Sequence, residues 1–262
     1  MGNTADWMGR IGNWFRREPW FKKEPFSEPA LIQRFFHRTG IRCGIMLDVG
    51  AHFGESLIPY AEKGWSIFAF EPDPNSEKQA ALARLGSESV RIFQVAICDQ
   101  GGQTLDFYCS DVSTGISSLA AFHESHQKTA SVQTETLANV ISREAIADVD
   151  FLKIDAEGHD LFVLKGFDWR IRPRVVLAEF EDLKTVALGY SHQDLCNFLV
   201  ERDYAVYLSE WYPIVQYGVT HRWRSIRRWP CELQEPDAWG NVIAVEQQRA
   251  NDLEQLLPPH ES

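Results

Sequence analysis

The chain has 262 residues, of which 44% are hydrophobic and 12% aromatic, enough to bury one large core. Its formal charge of -11 argues against a nucleic-acid binder, because phosphate neutralisation needs a basic surface. The five cysteines (Cys43, Cys98, Cys109, Cys196, Cys231) are odd in number and never spaced as Cys-x-x-Cys, which argues against a disulfide framework or a zinc site and fits a reducing cytoplasm.

Residues 1–40 read as an N-terminal amphipathic extension. In "DWMGRIGNWFRREPWFKK", Trp7, Ile11, Trp14 and Phe15 fall at helical spacing, with Arg10, Arg16, Arg17, Lys22 and Lys23 around them. Such a stripe most often packs on its own domain or on a partner subunit. The basic rim also suits an anionic membrane, so residues 1–24 are a candidate peripheral contact at the inner membrane surface. No apolar run approaches the length of a membrane span, and no signal-peptide stretch opens the chain.

From residue 41 a domain extends to 250, with 251–262 as a tail. "GIMLDVG" (44–50), "SIFAFEP" (66–72) and "VRIFQVAICD" (90–99) read as buried strands, the first two followed by helical spacing. Residues 100–149 read as an extended hairpin and loop. The series resumes with "DFLKID" (150–155), a helix "DLFVLKGF" closed by Gly166, "RVVLAEF" (174–180), a helix from about Ser191 to Arg202, "YAVYLS" (204–209) and "NVIAVE" (241–246). The pattern predicts an α/β, Rossmann-like, mostly parallel sheet with helices on both faces and an antiparallel last strand. Ligands of such sheets sit outside the carboxyl ends of the strands.

The first strand ends in "LDVGAHFGES" (47–56). A dinucleotide turn needs Gly-x-Gly-x-x-Gly, but His52 stands where the second glycine should admit the pyrophosphate. A phosphate loop needs lysine and a hydroxyl after its last glycine, and here Glu55 and Ser56 follow. Glu71, about 20 residues past the turn, stands where a carboxylate accepts both ribose hydroxyls of an adenosine. A ribose-holding carboxylate, a glycine turn and no provision for phosphates describe S-adenosylmethionine. Its sulfonium suits an acidic pocket, with Asp48 available to its cationic amino end. Asp48, Glu71, Asp99 and Asp155 should all lie along one edge of the sheet.

These residues, with "FAFEPDP", "VRIFQVAICD", "GISSL", "LKIDAEGHD" and "WGNVIAV", resemble the FkbM-type S-adenosylmethionine-dependent methyltransferases over roughly residues 44 to 246. The resemblance implies transfer of a methyl group to oxygen, usually a hydroxyl of a sugar, glycan or natural product. Family members often carry Asn where His52 stands and Glu where Asp160 stands, which sets both apart from direct chemistry. Asp48, Gly50, His52, Gly54, Glu71, Ala96 and Asp155 are the candidate cofactor-binding residues. Asp160 reads as a helix cap or first-turn carboxylate, and His123 and His126 as loop histidines without a third metal ligand.

An alcohol gives up its proton only as the new bond forms, so a positioned carboxylate or histidine is expected at the acceptor. Asp155, Glu157 and Glu179 are the candidate catalytic residues, with His159 and His221 as lesser ones. A divalent ion bridged by the three carboxylates is the alternative to a base, and the base is preferred, so no metal is assigned. Two functions from other classes stay open: a non-catalytic Rossmann-like binding module, and a nucleotide-dependent oxidoreductase. Residues 210–240 form an insertion before the last strand. It carries Trp211, Tyr212, Tyr217, Trp223, Trp229 and Trp239 around Arg222, Arg224, Arg227 and Arg228. Aromatic faces stack on sugars and arginine forks pair with anions, so the insertion is expected to lid an acceptor site for an anionic small molecule or glycan.

Overall fold

The computed structural model describes residues 26–110, 112, 115, 117–215 and 221–258. The amphipathic stripe of residues 1–24 and Tyr217 lie outside them. Helix α1 (Glu28–Arg38) is followed by β1 (Ile45–Val49), α2 (Ile58–Ala61), β2 (Ser66–Phe70), α3 (Ser76–Leu85) and β3 (Val90–Phe93). Then come β4 (Ala96–Ile97), β5 (Thr104–Ser110), β6 (His126–Glu135), α4 (Leu137–Arg143), β7 (Phe151–Ile154) and α5 (Asp160–Lys165). The last part holds β8 (Val175–Glu181), α6 (Asp182–Thr185), α7 (His192–Val200), β9 (Tyr204–Trp211), β10 (Trp223–Arg228), β11 (Trp239–Glu246) and α8 (Ala250–Glu254).

Eight strands form one sheet in the order β10-β9-β11-β8-β7-β1-β2-β3. β8, β7, β1, β2 and β3 are parallel, and β11 inserts antiparallel to both β8 and β9. The expected architecture and its antiparallel last strand are therefore present. The strands read as continuous apolar runs because helices cover both faces, and the pleat divides their side chains with a period of two. Leu47, Val49, Phe68, Phe70, Leu152 and Ile154 enter one core with α4, α5 and α7. Met46, Ile67, Ala69, Phe151, Val175 and Leu177 enter the other with α1, α2 and α8.

Four elements differ from the sequence reading. Residues 28–38 are not part of an extension: Ser27 caps α1 by accepting from the Ala30 N–H, and Leu31, Ile32, Phe35 and Phe36 are buried in the second core. The apolar run 90–99 is two strands, because after Phe93 the chain leaves the main sheet and β4 joins β5 and β6 in a separate three-stranded sheet. The hairpin expected between residues 100 and 149 is β5–β6, but the loop expected after it holds helix α4, capped by Thr136, whose side chain accepts the Asn139 N–H. The insertion 210–240 contributes β10, an edge strand antiparallel to β9, in addition to loop.

Candidate active site

The carboxyl ends of β1, β2 and β7 open into a cleft of about 900 Å³. Gly50 makes the first turn: its φ is +75°, and a Cβ there would lie 1.8 Å from the Asp155 carbonyl oxygen, so no other residue fits. The N–H groups of Gly50 and Ala51 both donate to the Phe70 carbonyl at 3.0 Å, which closes β1 onto β2. His52 follows in the left-handed region, with φ 53°, and its N–H donates to Glu71 Oε2 at 2.8 Å. Glu71 Oε1 accepts the Asp73 N–H at 2.9 Å. The Glu71 carboxylate thus clasps the two loops that flank the cleft while lining it, and burial raises its pKa above the ordinary glutamate value.

Of the residues read as cofactor-binding, Gly50, His52, Glu71, Ala96 and Asp155 line the cleft. Asp48 and Gly54 are not among its lining residues. Asp48 is wholly buried beneath the floor, where Ser56 Oγ donates to it at 2.6 Å and the Lys153 ammonium lies 3.2 Å away. It therefore meets the cleft through Ser56 and Lys153, not by direct contact. Gly54 serves packing, since a Cβ would collide with Leu85 of α3 at 2.3 Å. Asp99 also falls away from the cleft, packed beside Gly166 at the end of α5. Lys153 escaped the sequence reading. Its Nζ donates to the Gly50 carbonyl at 2.7 Å and lies 3.6 Å from Asp155, and the available signal was a lone lysine inside the apolar strand "FLKI".

The second half of the site is the turn 155–160. Glu157 is left-handed at φ 50° and Gly158 follows at φ 94°. A non-glycine residue in that region stores on the order of 1–3 kcal/mol and persists only where its surroundings hold it. Asp160 supplies part of the hold by accepting the N–H groups of Ala156 and Gly158, each at 3.3 Å. Ser118 Oγ donates to the Glu157 carbonyl and the Tyr190 hydroxyl to the Gly158 carbonyl, both at 2.8 Å. Asp160 is thus a backbone anchor, and burial, with Asp155 adding to it, raises its pKa to about 7.

Of the three carboxylates read as catalytic, Asp155 and Glu157 line the cleft, and Glu179 stands behind Glu157. The three offer oxygens within 4.8 Å of one another. Lys184, a second residue the sequence reading passed over, already stands among them, 2.6 Å from Glu157 and 3.1 Å from Glu179. Burial first, and Asp155 and Glu181 after it, push Glu157 up to about 7 against the opposing pull of Lys184. Neither histidine joins the cleft lining: burial lowers His159 to about 4, and His221 stacks edge-on against Trp239 at 5.1 Å, its pKa also lowered by burial.

The insertion ends at the same edge. Trp239 pairs in register with both Glu181 and Trp211, and the Tyr212 ring lies under the guanidinium groups of Arg222 and Arg224, at 4.6 and 4.9 Å. Arg227 and Arg228 do not join them. β10 runs back along β9, which carries Arg227 to the buried Glu210 at 2.6 Å and Arg228 to Glu254 at 2.8 Å.

The cleft fits a nucleoside without phosphate. Its apolar wall of Phe70, Val95, Ile97, Phe107 and Leu119 suits a base, and Glu71 presents a carboxylate. Both lysines that line it are engaged by the protein, Lys153 as above and Lys78 by Asp73 at 2.8 Å. An adenosyl-binding enzyme of the doubly wound class is the description that fold and cleft together support. The sequence profile of the Methyltransferase FkbM domain family matches residues 48–206, more than half of the chain. The chain belongs to this family and is a methyltransferase that uses S-adenosylmethionine.

Solved structures similar to the chain include the precorrin-6y C5,15-methyltransferase of Geobacter metallireducens, 14% identical, covering 86% of this chain and 93% of that one with a TM-score of 0.41. The 1,6-didemethyltoxoflavin-N1-methyltransferase of Burkholderia thailandensis, solved with S-adenosylhomocysteine, is 13% identical over 94% and 91% with a TM-score of 0.40. The magnesium protoporphyrin IX methyltransferase of Synechocystis, solved with bound S-adenosylmethionine, is 9% identical over 91% and 96% with a TM-score of 0.43. No curated protein sequence matches the chain.

Proposed function

We propose that the enzyme methylates a hydroxyl of an anionic sugar or glycan, with Glu157 as the group that takes the hydroxyl proton. The observation that carries this reading is the position of Glu157, a cleft-lining carboxylate held in a left-handed turn on the same cleft as Glu71. S-adenosylmethionine, when bound, supplies a methyl carbon attached to a positively charged sulfur. Glu71 would hold its ribose, Ser56 and Lys153 would meet its amino-acid end, and the apolar wall would take the adenine. At a value of about 7, Glu157 is poised to accept a proton near neutral pH. Asp155 lies beside it to orient the acceptor.

Tyr212, Trp239, Arg222 and Arg224 support a sugar ring bearing a phosphate or carboxylate, since they gather at the end of β9 and β11 beside Glu181, with Trp211 buried behind them. Arg222 and Arg224 replace Arg227 and Arg228 as the arginines of this reading, because Glu210 and Glu254 hold the latter at 2.6 and 2.8 Å, whereas Arg224 meets Glu235 only at 3.6 Å. The test is transfer of labelled methyl from S-adenosylmethionine to fractionated glycans and nucleotide sugars, with wild type beside Arg222→Ala/Arg224→Ala and Glu157→Gln. Anionic fractions should be labelled, and the arginine variant should lose that labelling. Glu157→Gln should lower turnover about 10²–10⁴-fold, the range for losing a general base. Labelling of neutral molecules only would defeat the anionic acceptor, and near-normal turnover in Glu157→Gln would defeat the base.

A further inference from the structure

The buried cluster behind Glu157 contains a cation that the proton transfer above leaves unused. The Lys184 ammonium, on α6, lies 2.6 Å from Glu157, 3.1 Å from Glu179 and 2.8 Å from Glu181. An ammonium has three N–H donors, and three carboxylates meet it here. The lysine is buried, and the Phe122 ring from the segment between β5 and β6 lies over Nζ with its centroid at 5.2 Å. Resting on the reading of Glu157 as proton acceptor, we propose that Lys184 is a positioning residue. Its ammonium fills the cation place among Glu157, Glu179 and Glu181, holds the Glu157 carboxylate at the cleft, and balances its charge without a metal ion.

Geometry and charge lead to this together. Asp155, Glu157 and Glu179 are close enough to share a divalent ion, but such an ion would meet the buried ammonium at contact range in a partly buried site, where like charges repel. Lys184 would have to leave before the ion could enter. Without either cation, three buried glutamates would face one another, an arrangement that forces protons onto them. With the ammonium, burial still raises Glu157 and Glu179, while Lys184 pulls both back. Burial opposes the charged lysine, yet the three carboxylates outweigh it and hold the ammonium well above its ordinary value. The groups acting on Glu157 are Asp155 at the end of β7, Glu179 and Glu181 on β8, and Lys184 on α6; Asp160 on α5 shares Asp155 and Lys184 with it. Tyr190 and His221 stand farther out, against Glu179 and Glu181. Lys184 is the cation in direct contact with Glu157 among the described residues, and its charge does not change with pH in the working range.

The full chain labelled with ¹³Cδ-glutamate tests the proposal by NMR, with the Glu157 resonance assigned by its disappearance in Glu157→Gln. Lys184→Met should move the Glu157 midpoint upward by about 1–3 pH units, the usual effect of losing an opposite charge at this range, and Lys184→Arg should restore most of it. Millimolar Mn²⁺ should leave the wild-type Glu157 resonance sharp. An unmoved midpoint in Lys184→Met, or Mn²⁺ broadening in the wild type, overturns the proposal. Circular dichroism checks folding, with Lys184→Gln replacing the methionine variant if that one unfolds; the Mn²⁺ arm needs only wild type. Neither arm uses a methyl acceptor, so a failure here is distinct from a failure of the acceptor assignment.

Discussion

Glu71→Ala separates two roles that one carboxylate performs. In the folded protein its oxygens accept the N–H groups of His52 and Asp73 at 2.8 and 2.9 Å, and it is 6% exposed. Hydrogen bonds to a charged group are each worth about 1.5–3 kcal/mol, so losing both should destabilise the fold by roughly 3 kcal/mol or more. For a chain of this size each kcal/mol moves Tm by about 2–4 °C, which gives a fall of roughly 6–12 °C. Independently, two ribose hydroxyls would lose their acceptor, and affinity for S-adenosylhomocysteine should fall at least about tenfold. Calorimetric titration measures the affinity and differential scanning fluorimetry the Tm. Glu71→Gln should fall between, because its amide nitrogen must face one of the two N–H groups. A lower Tm with unchanged affinity in Glu71→Ala would refute the ribose assignment and leave Glu71 as a clasp between loops.

Gly50→Ala would place a Cβ 1.8 Å from the Asp155 carbonyl, where real contacts begin at 3.0 Å, so the tips of β1 and β7 must part by about 1.2 Å. A displacement near 1 Å costs roughly 10²-fold in turnover, and a methyl-transfer rate within a few-fold of wild type would contradict the geometry. Asp160 holds its proton to about 7 when folded against 3.8 as a free side chain, so folding binds protons between these values. The contribution of Asp160 to stability is therefore lost as pH rises from about 4 to about 7; urea midpoints for Asp160→Asn should show a shallower decline over that window, and an equal decline would count against a buried neutral Asp160. Arg227→Ala would leave Glu210, fully buried, without its cation, and should destabilise by about 3–5 kcal/mol while S-adenosylhomocysteine affinity holds. Loss of donor affinity with stability intact would overturn the structural role given to Arg227.

The sequence by itself determined the parts of this protein that depend on local periodicity. Apolar runs of four or five residues punctuated by Gly50, Gly166 and helical segments were enough for the parallel sheet, and His52 in place of a glycine was enough to disfavour phosphates. The place of Glu71 at the cleft was legible because its distance from the turn is set by one strand–helix–strand unit. Tertiary structure decided what brings distant segments together. Lys184 is 27 residues from Glu157, and only the packing of α6 against the turn after β7 makes it that residue's partner. Asp48 looked like a ligand contact because it ends a strand, yet its partners Ser56 and Lys153 arrive from other elements and seal it beneath the floor. Arg227 and Arg228 looked like free charges in a loop until β10 paired with β9 and delivered them to Glu210 and Glu254. Backbone periodicity is written residue by residue, whereas the partner of a buried charge is chosen by how whole elements pack. Lys184 and Glu210, the charges that packing buried, had to find opposite ones before water could be excluded around them.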